Sequence, residues 1–175
     1  MRAWWRRSVV PGMWWSVLYA GALTAQAKPA AKPSAGIEVC SLASDQEFQK
    51  TQGIDPRIGY IPSTPEKTLM TWGPHCDYSG GAIDLFTTQP PAAELDRVLA
   101  LTEGGKQRVP VSGLGERAFF TTIYPDDQYR RRGFLAVFAG PRLITFSMDP
   151  EGQEPLEATR PKLESLAKLV LPRLK

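Results

Sequence analysis

Histidine is the scarcest reactive residue type in this 175-residue chain: His75 is the only one, and it stands between Pro74 and Cys76. A serine or cysteine hydrolase needs a base within hydrogen-bond reach of its nucleophile, so any such enzyme here would be built on His75. No Gly-x-Ser-x-Gly accompanies it, and its neighbours Gly73 and Pro74 read as a turn. A small secreted hydrolase with an unassigned nucleophile is therefore the alternative reading. His75 with Cys76 and Cys40 could also start a metal or redox set. Zinc takes three or four protein ligands at short, paired spacings such as C-x-x-C, and the chain has none, so no metal and no cofactor are expected.

Other short matches have simpler explanations. Ser165-Leu166-Ala167-Lys168 has the Ser-x-x-Lys spacing of penicillin-recognising acyl enzymes, but the Ser-Asp-Asn and Lys-Thr-Gly elements are missing, and both residues fall on the polar side of an amphipathic segment. Gly113-Leu114-Gly115 is not followed by the third glycine and helix of a phosphate-cradling loop, so it reads as a turn that needs unusual backbone angles. The carboxylates of Asp126 and Asp127 are adjacent in a turn and read as solvated. Trp72, Tyr78 and the phenylalanines 119, 120, 134, 138 and 146 read as core. No catalytic residue is assigned.

One local concentration of positive charge remains, Arg130-Arg131-Arg132, with Tyr129 before it and Tyr124 nearby. Guanidinium groups beside aromatic rings can grip a phosphate, a sugar acid or an acidic protein surface. A solvated hairpin tip, its charge partly offset by Asp126 and Asp127, is the plainer interpretation. Tyr124, Tyr129, Arg130, Arg131 and Arg132 form the candidate binding set.

Where these groups act follows from the start of the chain. Arg2, Arg6 and Arg7 precede an apolar stretch over residues 8–23, and Thr24-Ala25-Gln26-Ala27 carries small residues at Ala25 and Ala27 in the pattern that signal peptidase reads. Residues 1–27 are expected to be a cleaved signal peptide, and the mature protein a periplasmic or secreted one without stable membrane insertion. The whole chain has 21 Lys and Arg against 18 Asp and Glu, and the three leader arginines account for the excess. A mature chain near neutrality offers no electrostatic case for binding nucleic acid or an anionic membrane. In an oxidising compartment the two cysteines allow one intramolecular pairing, so a Cys40–Cys76 disulfide is expected.

Residues 28–36, KPAAKPSAG, read as a flexible linker, and residues 37–175 as a single domain. Ser44 and Glu47 have capping-box spacing and Gly53 is a natural stop, so a short helix lies between them. Prolines 56, 62 and 65 make the next stretch a loop. Strands are expected at 68–72 and 82–88, paired antiparallel, with Cys76 near their connection. A helix opens at Pro90-Pro91 and stops at Gly104-Gly105; strands follow at 117–124, 133–139 and 142–148, the last two joined by a tight hairpin at Gly140-Pro141. From about Thr159, Leu163, Leu166, Ala167, Val170 and Leu174 line one face of a last helix. The expected fold is α+β, in the order α-β-β-α-β-β-β-α, with an antiparallel sheet of about five strands and helices on one face.

Cys40-Ser41-Leu42 ahead of a short helix ending at Gly53, Cys76-Asp77-Tyr78 as a Cys-x-aromatic, and Val111-Ser112-Gly113-Leu114-Gly115-Glu116-Arg117-Ala118 before a Leu- and Ala-rich C-terminal helix together resemble a family of small bacterial envelope proteins. That family consists largely of uncharacterised lipoproteins and is similar to the extracytoplasmic sensor domains of some receptor-type serine/threonine kinases. The resemblance spans most of residues 39–174. It implies an α+β module with a disulfide and no known catalytic residues. The chain lacks a lipobox, a kinase domain and a membrane segment after the leader, so anchoring and receptor signalling are not carried over. The leading expectation is a non-enzymatic binding or interaction module of the cell envelope, monomeric, that meets an unidentified envelope protein or small ligand through a sheet face or residues 124–132. An assembly accessory of a larger envelope complex is a third reading.

Overall fold

The computed structural model describes residues 36–54, 64–88, 90–102, 104 and 107–174, all within one compact unit, Ala35–Lys175. The expected leader with Ala25 and Ala27, the expected linker except Gly36, and most of the proline-rich stretch after Gly53 lie outside the described residues.

A 3-10 turn at Val39–Ser41 leads into helix α1 (Asp45–Gln52). Ser44 caps α1 as its spacing predicts: its hydroxyl accepts from the Glu47 backbone N–H while the Glu47 carboxylate accepts from the Ser44 N–H, and Gly53 closes the helix at φ 94°. Three strands follow, β1 (Glu66–Met70), β2 (Gly73–Tyr78) and β3 (Gly81–Phe86). Helix α2 (Pro91–Leu101) then crosses to β4 (Val109–Val111), β5 (Arg117–Ile123), β6 (Arg132–Ala139) and β7 (Arg142–Met148). Helix α3 (Thr159–Val170) ends the chain, with a 3-10 turn on each side.

The seven described strands form one antiparallel sheet in the order β1-β2-β3-β7-β6-β5-β4. Two meanders thus meet where β3 pairs with β7, Ile83 opposite Phe146. The α+β class stands as the sequence predicts, but the sheet has seven strands instead of about five. The two extra ones are β2 and β4. The expected pairing of 68–72 with 82–88 is also corrected, because β2 lies between β1 and β3 and pairs with both. Gly73-Pro74 looks like a turn in sequence. Pro74 is tolerated in the strand because it faces Leu69 of β1 at a point where the ladder to β3, which starts at His75, has not begun.

Strand alternation divides the core into two layers. Ile83, Leu85, Ala118, Phe120, Leu135, Val137, Ile144, Phe146 and Met148 face α1 and α3, while Phe86, Phe119, Phe134, Ala136 and Leu143 face Leu95, Val98 and Leu99 of α2. Helices therefore cover both faces, which corrects the expectation of one. The reason is the apolar pattern of β5, β6 and β7, buried at nearly every position, which leaves each of their faces in need of a cover. On α3, Leu163, Leu166, Ala167 and Val170 are fully buried, as the spacing predicts; the helix ends at Val170, and Leu174, expected on the same helical face, is nearly buried just after the following 3-10 turn. Each leucine buried this way contributes about 1.5–3 kcal/mol relative to exposure. The start of α3 approaches β6 closely at Gly133, where a Cβ would fall 1.7 Å from Thr159 Oγ1. The Cys40–Cys76 disulfide is present, Cα–Cα 5.3 Å, and ties the first 3-10 turn to β2. Among the described residues no helix is long and apolar enough to cross a membrane.

Candidate functional site

Four of the candidate binding residues fall on the connection between β5 and β6 and the fifth, Arg132, opens β6; the structure separates their roles. Tyr124 takes a left-handed backbone conformation, φ 48°, which a bulky L-residue adopts only under constraint. Its N–H donates to the Thr102 carbonyl at 2.8 Å, and its half-buried ring packs beside the α2 layer. Asp127 organises the turn by accepting from the backbone N–H groups of Tyr129 (2.9 Å) and Arg130 (3.1 Å) and from Arg130 Nε (2.6 Å). The hydrogen bond from Arg130, more than any other contact, holds the Asp127 carboxyl below its ordinary range.

Each arginine of the triplet has its own surroundings. Arg130 lies over the Tyr124 ring, 4.5 Å from its centroid, and on Asp127. Arg132 pairs with Asp149 at 2.7 Å. Arg131 meets a backbone carbonyl, that of Gly152, at 3.3 Å, and is half-buried. Together with Gln128, Tyr129, Gly152 and Gln153 it lines an open cleft of about 530 Å3 between the β5–β6 connection and the segment joining β7 to α3. Tyr129 is 87% exposed. Of the five residues chosen from sequence, Tyr129 and Arg131 thus face the cleft, while Tyr124, Arg130 and Arg132 hold the loop that presents them.

A second polar cluster, on the α2 side of the sheet, is one that sequence reading missed. Asp84 of β3, buried, takes three donors: Trp72 Nε1–H at 3.0 Å, the Thr145 hydroxyl at 3.1 Å, and His75 Nδ1 at 2.7 Å. The other ring nitrogen of His75, Nε2, lies 2.8 Å from Asp77 Oδ2. The register places His75 opposite Asp84, and Asp84 opposite Thr145, so one cross-strand row builds the cluster. A charged residue inside the apolar run Gly81-Ala82-Ile83-Asp84-Leu85-Phe86 was the available signal, since a carboxylate there must find partners. A hydrolase built on His75 would need a hydroxyl or thiol at Nε2; the atom there is a carboxylate oxygen.

The other motifs have structural duties. The Ser165 hydroxyl donates to the Pro161 carbonyl one turn back, 2.9 Å away. Gly113 and Gly115 have φ 78° and 57°, as a turn between β4 and β5 requires. Tyr78 stacks on Phe48 at 4.5 Å and donates to the Ala43 carbonyl, with burial pushing its hydroxyl up to about 12. Trp72 lies on the opposite face, against Phe86. No group of three or more His, Cys, Asp or Glu able to hold a metal ion occurs among the described residues.

Compared with known proteins, the chain matches no family model, no curated protein and no solved structure.

Proposed function

We propose that this chain is an exported, non-enzymatic binding module of the bacterial cell envelope, working as a monomer, and that it grips an acidic group of another envelope component at the β5–β6 connection. The observation that carries this reading is the pairing of exposed Tyr129 with Arg131 at the mouth of one cleft. An aromatic face beside a guanidinium with unused donors suits a carboxylate or phosphate carried on a sugar or peptide. The backbone conformation of Tyr124 supports it too, because strain of this kind collects where a loop must present side chains in a fixed pose. Export to the periplasm or beyond rests on the leader and on a disulfide suited to an oxidising compartment. The resemblance to small envelope proteins and to extracytoplasmic sensor domains points to the same location.

The test separates cleft residues from loop-building ones. Binding of a uronic-acid oligosaccharide and of a poly-glutamate peptide is measured by NMR on the full chain, followed by crosslinked capture from the protein's own envelope fraction. Arg131→Ala should weaken whichever interaction is found by roughly tenfold, the usual effect of losing one charge-assisted hydrogen bond pair. Its melting curve should not change. Binding that survives both Arg131→Ala and Tyr129→Ala would remove this cleft from the function.

A further inference from the structure

His75 poses a proton-counting problem that its geometry answers. Both ring nitrogens lie within hydrogen-bond distance of carboxylate oxygens, Nδ1 at 2.7 Å from Asp84 and Nε2 at 2.8 Å from Asp77. An ionised carboxylate only accepts, so both nitrogens must donate, and a ring that donates twice is an imidazolium. The two carboxylates differ in their surroundings. Asp84 has only a tenth of its side chain exposed and is also held by Trp72 and Thr145, whereas Asp77 has about half of its side chain, 49%, in solvent.

We propose that His75 is a pH-operated clasp: as an imidazolium it ties Asp77 to Asp84 across the β2–β3 hairpin, and on losing its Nε2 proton it releases Asp77 to solvent while keeping the bond to Asp84. The neutral ring has one N–H to give. Buried Asp84 has the greater need of a donor, because an unpaired charge there has no water to turn to, while Asp77 can be rehydrated where it stands. The Nε2 lone pair would then face the Asp77 carboxylate and repel it. The rest of the surroundings favours the proton. Of the neighbouring strands, β1 sets Thr68 opposite His75 and a further carboxylate, Glu66, opposite Asp77, and β7 contributes Thr145 and Ser147. The one cation of α2, Arg97, is paired with Glu94 and reaches Thr71 in the β1–β2 turn. Burial pulls the His75 pKa down, but the hydrogen bonds and charges of Asp84 and then Asp77 outweigh it and leave the pKa above its usual 6.5.

The clasp has a particular place in the fold. His75 and Asp77 flank Cys76, whose side chain points to the opposite face and into the disulfide with Cys40. Strand β2 is thus held covalently from one face and by a protonated ring from the other, and only the second hold responds to pH. A raised folded-state pKa means the contribution is complete below 6.5 and is lost as pH rises through the folded value.

Because the chain contains one histidine, its imidazole 15N and 1H signals need no assignment. They are followed in the full chain between about pH 5 and pH 9, together with thermal melts. The expected result is a doubly protonated ring that titrates above 6.5, a neutral form with its proton on Nδ1, and a melting temperature that falls through that transition relative to His75→Gln. Asp77→Asn, which leaves the buried partners intact, should lower the titration midpoint by about one pH unit, a tenfold weaker hold on the proton. A midpoint at or below 6.5, a neutral ring protonated on Nε2, or a midpoint indifferent to Asp77→Asn would each overturn the clasp.

Discussion

Glu47 shows how one side chain joins a local rule to a distant contact. Its carboxylate accepts from the Ser44 backbone N–H and also from the Arg173 guanidinium, 2.7 Å away and 126 positions along the chain. The Arg173 hydrogen bond, followed by that of Ser44, holds its pKa down at about 2 against an ordinary 4.5. Since the folded value is the lower one, the stabilisation is complete above 4.5 and disappears as pH falls through about 2. Glu47→Gln should therefore destabilise the protein at neutral pH, by about 1 kcal/mol on the scale of capping contacts. Melts taken down the acid limb should show the two proteins converging; a constant gap would mean that the charge is idle. The gain stays modest because both partners are more than a third exposed and water screens the pair. The Ser44–Glu47 spacing was legible in sequence, but Arg173 was not, because nothing local to a C-terminal turn announces which helix end it will reach.

Elements were legible where a run of residues repeats one environment. The strands β5, β6 and β7 and the helix α3 are long enough for that: the strand ends fall within a residue of the expected ones, and α3 starts at Thr159 as expected but gives way after Val170 to the 3-10 turn that holds Pro172, short of Leu174. β2 and β4 were hidden because each carries a proline, Pro74 and Pro110, that reads as a breaker, and β4 is only three residues long. The two-residue hairpin was legible because Gly140-Pro141 allows little else, and Ala139 does pair with Arg142 across it. The β4–β5 turn offers a comparison at this scale. Gly113 and Gly115 both have positive φ, but a Cβ on Gly113 would meet nothing within 4 Å, whereas one on Gly115 would fall 2.3 Å from the Phe138 carbonyl oxygen. Gly113→Ala should cost about 1–2 kcal/mol, the conformational penalty alone. Gly115→Ala should cost about 3 kcal/mol or more, because backbone must also move. Denaturant midpoints of the two variants decide it, and equal losses would remove the steric part of the explanation.

For the molecule as a whole, the disulfide and the β3–β7 pairing determine how the parts close. Cys40 and Cys76 are 36 positions apart, and cross-linking a loop of that size contributes about 3–4 kcal/mol in the chain-entropy model. Replacing both cysteines with serine should lower unfolding stability by that amount, and reduction of the unaltered chain should do the same. If neither moves the denaturation midpoint, the 3-10 turn at Val39–Ser41 is held by packing alone. Val39, Leu42 and Phe48 lie in the same apolar layer as α3, which is the competing source of that hold.

The sequence by itself determined the local features: the caps of α1, the long strands, the turn glycines and the disulfide partners. Each of these depends on neighbours a few positions away, or on there being only two cysteines to pair. Tertiary structure alone decided that helices cover both sheet faces, that Arg130 and Arg132 support a loop while Arg131 and Tyr129 face its cleft, and that His75 lies between two carboxylates. Those outcomes depend on which strands become neighbours. A one-residue change in register would send His75 and Asp84 to opposite faces, and no local pattern fixes that register until the sheet has formed.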